Sequence, residues 1–255
     1  MADLSARGIV PEYLFWVGCA GAYDDRYKKV VRAFVKILTH LNVSYGVLGT
    51  EERCSGDPAR RAGNEMLFQM LALQNIETFN KYQVKKILTI CPHCFNVFKN
   101  EYPDLGGCYE VISYVQFLEK AIREGKISFE KSKFSGIKIT YHDPCYLGRA
   151  NSIYRAPRKV LKQLTSHLVE MDRCKSRALC CGAGGGRMFM EERTGRRINE
   201  ERAAELLGTG AELLSVACPF CLTMVSDGAR RLGSEVPVMD IAEVVASRLD
   251  NGAAE

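Results

Sequence analysis

Ile87-Leu-Thr-Ile-Cys-Pro-His-Cys94 and Leu213-Leu-Ser-Val-Ala-Cys-Pro-Phe-Cys221 are the two stretches from which the rest of the chain can be read. Each opens with a short apolar run, Ile87 to Ile90 or Leu213 to Ala217, of the kind that forms a buried strand. Each then passes through Cys-Pro-x-Cys into a helical pattern, Phe95 to Glu101 or Leu222 to Leu232. Proline in the first helical turn gives up no hydrogen bond, so Pro92 and Pro219 suit the junctions. The thiol pairs Cys91 and Cys94, and Cys218 and Cys221, therefore stand where a strand opens into a helix. Free backbone N–H groups and the helix dipole favour negative charge there.

Outward from these motifs the chain repeats itself. Cys19, Cys54, Cys91 and Cys94 recur as Cys145, Cys180, Cys218 and Cys221, at offsets of 126, 126, 127 and 127 residues. Agreement at four positions marks an internal duplication. Helical periodicity covers Tyr27 to Leu41, Asn64 to Tyr82, Tyr109 to Glu124, Pro157 to Leu168, Glu191 to Leu207 and Ile241 to Leu249. Further strands are expected at Tyr13 to Val17, Val43 to Leu48, Ile137 to Tyr141 and Leu168 to Met171. Strands alternating with helices of this length predict an α/β fold: two pseudo-symmetric domains, each with a small, mainly parallel sheet and a cysteine site at strand ends. The expected division is a first domain over 1–124, a polar linker from Gly125 to Gly136 and a second domain over 137–255.

Bulk properties narrow the class. The 255 residues are 47% hydrophobic and 25% charged, as in an ordinary globular protein rather than a disordered or fibrous one. The net charge of +5 is mild and comes with no nucleic-acid signature, so a nucleic-acid partner is not expected. Arg155, Arg158, Lys159 and Lys162 read as a solvated helix face. No run of about 18 apolar residues occurs and the start of the chain has no signal-peptide pattern. A cytoplasmic, non-spanning protein, free or within a membrane-associated complex, is the expectation. Eleven cysteines in that compartment point to metal or redox chemistry rather than to disulfides.

Five cysteines make up the second set, because Cys180 and Cys181 are adjacent and precede Gly182. Four thiolates saturate a cubane cluster or a tetrahedral zinc ion, so a fifth must bridge irons, bind an opened cluster or stay free, and iron–sulfur accounts for the set more economically than zinc. The run from Gly182 through Gly184 to Gly186 fails as a dinucleotide loop, since Arg187 stands where glycine is required. As a wrap around a cluster it succeeds, because glycines such as Gly182 and Gly184 let backbone N–H groups approach sulfur. Arg187 reads either as an offset to thiolate charge or as a surface residue. Asp143 and Pro144 read as turn residues, and His142 as a strand-end histidine rather than a ligand. In the first half Ser55 replaces the second adjacent cysteine, leaving Cys19, Cys54, Cys91 and Cys94 to hold a [4Fe–4S] cluster, zinc or an incomplete opened cluster. Cys108 and Cys174 lie outside the repeat and read as structural thiols.

The pattern Cys145-x34-Cys180-Cys181-Gly182-x35-Cys218-x2-Cys221 resembles the cysteine-rich CCG domain. The tandem pair resembles the catalytic subunit of heterodisulfide reductase and related iron–sulfur oxidoreductases, from about Phe15 to Leu249. The resemblance implies a noncubane [4Fe–4S] cluster of two fused smaller units, with Cys145, Cys180, Cys181, Cys218 and Cys221 as its ligands. In the heterodisulfide reductases such a cluster works on a disulfide. Cys54-Ser55-Gly56 departs from Cys-Cys-Gly, so a second identical cluster is not implied. The C-x2-C-x2-C-x3-C-P ferredoxin segment of many relatives is missing, as is a flavin or nicotinamide fingerprint, so ferredoxin-like or flavin-bearing partner subunits are expected. The leading expectation is an iron–sulfur redox subunit of a larger electron-transfer complex, exchanging electrons with a disulfide, a quinone-linked carrier or a neighbouring cofactor. The alternatives are a metal-free thiol–disulfide oxidoreductase using Cys91-Pro-His93-Cys94, with His93 assisting the thiol, and a zinc-stabilised interaction module.

Overall fold

Two four-stranded parallel sheets frame the molecule, in a computed structural model that describes residues 1–129, 134, 136–190 and 195–249. In the first sheet β1 (Tyr13–Trp16), β2 (Tyr45–Gly46), β3 (Lys86–Thr89) and β4 (Glu110–Ser113) lie in the order β2-β1-β3-β4. In the second, β5 (Ile139–Tyr141), β6 (Leu168–Val169), β7 (Leu213–Val216) and β8 (Val238–Asp240) repeat that order as β6-β5-β7-β8. Leu14 pairs with Ile87 in one central register and Ile139 with Leu213 in the other. Strands of a parallel sheet are covered on both faces, which is why β1 and β7 are buried at every position.

The first half carries α1 (Ala2–Ala6), α2 (Gly18–Tyr23), α3 (Asp25–His40), α4 (Asp57–Arg61), α5 (Glu65–Lys81), α6 (Pro92–Asn100) and α7 (Tyr114–Arg123). The second carries α8 (Arg155–Leu164), α9 (Ile198–Gly208), α10 (Pro219–Arg231) and α11 (Ile241–Leu249). Asp24 starts α3 by accepting a hydrogen bond from the Tyr27 backbone N–H, and Asn64 starts α5 in the same way through Leu67. Along α3 the buried residues Tyr27, Val30, Phe34, Ile37 and Leu38 recur every three or four positions, the spacing of one helical face.

That face joins the halves. Helix α3 packs on α11 and α7 on α8, so each half presents the helices after its first and last strands to the other. Phe34, Tyr114 and Leu118 share one core with Val160, Leu161 and Val245, all fully buried. Each such side chain contributes about 1.5–3 kcal/mol. Arg26 grips Glu243 across the junction with two hydrogen bonds of 2.6 and 2.7 Å, and the Tyr114 hydroxyl donates to Asp240 Oδ1 at 2.7 Å.

Several boundaries differ from the sequence reading. Glu110–Ser113 is strand rather than the start of the Tyr109–Glu124 helix, because Val111 and Ile112 add to the edge of β3. The three-residue strand β8 went unread. Helix α8 stops at Leu164, where Thr165 turns extended and its hydroxyl donates to the Ile137 carbonyl. Helix α9 begins at Ile198 after an extended Arg197; residues 191–194 of the expected helix lie outside the described residues. The expected 125–136 linker also falls partly outside them, although Ile127 and Phe134 are buried in the shared core.

Burial pushes the Asp240 carboxyl up to about 8, even though the Ala242 N–H and the Tyr114 hydroxyl donate to it. A carboxyl raised in the fold stabilises fully below its ordinary value of about 3.9, and that contribution is lost as pH climbs through the folded value. Asp240→Asn cannot ionise. Its Tm advantage over the native protein is therefore expected to be absent near about pH 4, to grow to several degrees by about pH 8 and then to level off. Thermal melts across this range check it; a pH-independent difference would contradict the assignment.

Candidate metal centre

In each sheet the strand order reverses beside the first strand, between β1 and β3 and between β5 and β7. A crevice opens beyond the carboxyl ends of strands at such a switch point. Cys19 follows β1 and Cys91 follows β3; Cys145 follows β5 and Cys218 follows β7. Cys54 and Cys180 arrive from the loops after β2 and β6. Cys94 and Cys221 stand in the first turns of α6 and α10, behind Pro92 and Pro219.

The structure brings the expected cysteines together twice. In the first half Cys19, Cys54, Cys91 and Cys94 all line one pocket with Ser55 and His93. In the second half Cys180 contacts both Cys145 and Cys181, Cys221 pairs with Cys218, and Cys221 Sγ lies 3.3 Å from Cys181 Sγ. Ser55 Oγ stands in the corresponding relation, 3.4 Å from Cys94 Sγ. Cys108 is exposed and Cys174 half-buried, so neither is the buried structural thiol expected, and neither joins a site.

Backbone N–H groups reach the loop cysteines. The Gly182 N–H lies 3.4 Å from Cys180 Sγ, and the Gly184 N–H also favours that thiolate. Gly56 repeats the contact at 3.4 Å from Cys54 Sγ. These turns demand glycine: φ is +90° at Gly182 and +92° at Gly56, and a Cβ at Gly56 would lie 2.7 Å from the Phe68 ring. Arg187 is exposed.

The sulfurs divide their protons unevenly. Hydrogen bonding from Cys19 brings Cys54 down to about 6, helped by the Gly56 N–H and opposed by burial. Cys180 is lowered by hydrogen bonds from Cys145 and Cys181, and then by the glycine N–H groups. Burial opposes ionisation of Cys218, yet the Cys221 thiol and the His93 imidazole hold it at about 5. The donors Cys19 and Cys145 are raised in consequence, as are Cys94, Cys181 and Cys221; the Cys94 hydrogen bond lowers Cys91, but burial and the nearby Cys218 leave it raised. Adjacent thiolates cannot all ionise in a buried pocket without a cation among them. Five sulfurs exceed the four that tetrahedral zinc accepts, so the second set fits a polynuclear iron–sulfur group better than a single ion.

Glu52, Asp143 and Arg202 shape the sites without having been expected there, and His93, expected only to assist the thiol of its own motif, reaches both sites. Glu52 accepts hydrogen bonds from the Val17 and Gly18 N–H groups at 3.1 and 2.6 Å, which fixes the turn that delivers Cys19; burial raises its carboxyl to about 7. Asp143, expected in a turn, is a buried anchor that binds Arg158 through both oxygens at 2.7 and 2.8 Å and the Lys175 N–H at 2.7 Å. Arg202 is fully buried and donates from Nε to His142 Nδ1 at 2.9 Å. His93 stands between the sites, its Nδ1 4.0 Å from Cys91 Sγ and 3.8 Å from Cys218 Sγ, and packs on Tyr146 and Phe220. The two sulfurs are thus no farther apart than the sum of those distances. The identity of Asp143 and Arg158 as charged partners fifteen residues apart was a usable signal. Nothing in the sequence marked Glu52.

The pattern of the cysteine-rich domain, CCG, matches residues 13–99 and again 139–226. The chain belongs to the CCG family. Among CCG relatives it is 49% identical over 243 residues to the EtfAB:quinone oxidoreductase of Syntrophomonas wolfei, covering 92% of this chain and 34% of that one. It is 47% identical over 247 residues to the probable iron-sulfur-binding oxidoreductase FadF of Bacillus subtilis, with 96% and 35% covered. To a subunit of the dihydromethanophenazine:CoB--CoM heterodisulfide reductase of Methanosarcina barkeri it is 38% identical over 245 residues, with 93% and 59% covered. The CCG pair here thus spans about a third of the length of the first two relatives.

Asp143 sits two residues before Cys145, and its loss would leave the buried Arg158, among the described residues, with the Tyr154 carbonyl and the partly exposed Glu170. Asp143→Ala is expected to cost about 3 kcal/mol, the low end for breaking a buried ion pair. Urea unfolding of the native protein and the variant, followed by near-UV dichroism, checks this.

Proposed function

We propose that this chain is an iron–sulfur redox subunit in which Cys145, Cys180, Cys181, Cys218 and Cys221 hold a noncubane [4Fe–4S] cluster. Cys19, Cys54, Cys91 and Cys94 hold a second metal group, a [4Fe–4S] cluster or zinc. The observation that carries the reading is the fifth sulfur: Cys181 Sγ stands 3.3 Å from Cys221 Sγ, where the first half offers only the Ser55 hydroxyl. When bound, such a cluster supplies electron transfer at a potential set by burial, charge and hydrogen bonds to sulfur. The residues of this chain position the thiolates at strand ends, approach them with the Gly182 and Gly184 N–H groups and keep water away through buried Cys181, Cys218 and Cys221.

The approach of Cys91 Sγ and Cys218 Sγ to the same nitrogen, Nδ1 of His93, supports electron exchange between the sites. The relatives' names support an oxidoreductase role, with a quinone, a disulfide or a neighbouring cofactor at the far end of the electron path. Ferredoxin-like or flavin-bearing subunits supply or receive the electrons in this reading. Among the described residues no helix is long and apolar enough to cross a membrane. The metal-free thiol–disulfide reading loses support because Cys91 is buried and its thiol raised, the reverse of a reactive cysteine.

Anaerobically prepared protein with a full cluster supply is expected to be brown and to contain iron and acid-labile sulfide. Colourless, iron-free material from that preparation would sink the proposal. Cys181→Ser is expected to abolish the electron paramagnetic resonance signature of the second site. Ser55→Cys, which completes the first set, is expected to raise iron and sulfide per chain and to make the first site's spectrum resemble the second's. Unchanged iron content in Ser55→Cys would show that the missing sulfur does not decide what the first site binds.

A further inference from the structure

Three residues before the first cysteine of each set, the two halves place different side chains at the same point of the fold: Trp16 at the end of β1 and His142 just beyond β5. Trp16 is fully buried and His142 is 1% exposed. Among the described residues each carries one ring nitrogen without a partner, Nε1 of Trp16 and Nε2 of His142. A buried donor left unsatisfied costs about 1–3 kcal/mol, so two at equivalent positions call for an acceptor on the same side of each sheet.

Both rings stand close to the sulfurs. A ligand-capable nitrogen of His142 and the sulfurs of Cys181 and Cys221 all lie within 4.8 Å of one another. Around the point where a Cβ of Gly18 would stand, Trp16 Nε1 lies at 3.7 Å and Cys94 Sγ at 3.8 Å. Cys94 and Cys221 are the matching cysteines of the two sets.

The proton on His142 is placed by Arg202. A guanidinium donates and never accepts, so its 2.9 Å contact requires a lone pair on Nδ1, and the imidazole hydrogen then resides on Nε2. A histidine that ligated metal through Nε2 would need its hydrogen on Nδ1, directly against the Arg202 N–H. An indole N–H is likewise a donor only. Tryptophan and histidine differ in shape and charge but agree here in offering a single N–H.

We propose that Trp16 Nε1–H and His142 Nε2–H are matched hydrogen-bond donors to the metal–sulfur groups of the first and second sites, and that His142 is a positioning residue rather than a ligand. This rests on the proposal that the cysteine sets hold metal. Donors to cluster sulfur stabilise the more negative, reduced form and raise the potential.

The test uses the full chain with its metal in place, and iron and sulfide content first establishes that the sites are loaded. In the native protein transferred to D2O, the paramagnetic second site is expected to show coupling to an exchangeable deuteron and only weak nitrogen coupling. The large nitrogen coupling of a directly bound imidazole would overturn the proposal, and this measurement needs no variant to fold. His142→Phe with unchanged iron is expected to lower the second site's midpoint potential by an amount equal to about a tenfold shift in the reduction equilibrium, ~59 mV for one electron. His142→Gln, which keeps an N–H at similar reach, is expected to recover most of it. Trp16→Phe is expected to speed metal loss from the first site to a chelator severalfold and to leave the second site's potential in place. Fully loaded variants with native potential and native metal release would refute the inference while leaving the metal sites themselves intact.

Discussion

Crowded sulfur in a buried pocket is the constraint on which the molecule turns. Cys181 and Cys221 are brought to sulfur–sulfur contact, with Cys180, Cys145 and Cys218 next to them. Several thiolates so placed repel one another strongly unless positive charge lies among them. The surroundings ease that cost in small increments. Helix N-termini begin at Pro92 and Pro219, glycine N–H groups approach Cys54 and Cys180, and neutral ring N–H groups complete the lining. None of these brings a full charge; they are partial dipoles suited to an anionic group whose main compensation is metal.

The frame explains why such dispersed residues meet. A parallel sheet with its order reversed beside the first strand has one natural crevice, and the chain passes that crevice each time it leaves a central strand. Residues immediately beyond Trp16, Thr89, Tyr141 and Val216 converge there regardless of how much sequence separates them. The helices after the first and last strands of each sheet then weld the two halves together through α3, α7, α8 and α11. Precise placement of Cys91 near Cys218 depends on that weld, since His93, carried by the first half, is held by the Tyr146 and Phe220 rings of the second.

Much of this was legible because it is periodic. Cysteine offsets exposed the duplication, and proline after a short apolar run located both helix starts. What escaped notice was short or long-range. Glu110–Ser113 and Val238–Asp240 are strands of four and three residues, too brief for alternation to show, and they run straight into helices. Asp143 looked like a turn residue because aspartate before proline usually is one; only the fold reveals Arg158 beneath it. Trp16 and His142 were invisible as a pair because chemistry, not residue type, is what the duplication kept at that position. The ligand role of the cysteines themselves follows from residue type and convergence, whereas the tautomer of His142 requires Arg202, sixty residues away.

Covalent fusion of the two copies has a consequence of its own. In a dimer of identical chains every substitution appears on both sides of the axis, so the two centres are compelled to stay alike. Here one side keeps a serine where the other has a sulfur, and one side has an imidazole where the other has an indole, within a scaffold whose strand order never changed. Tandem arrangement thereby released each centre to specialise while its neighbour remained at a fixed, short separation.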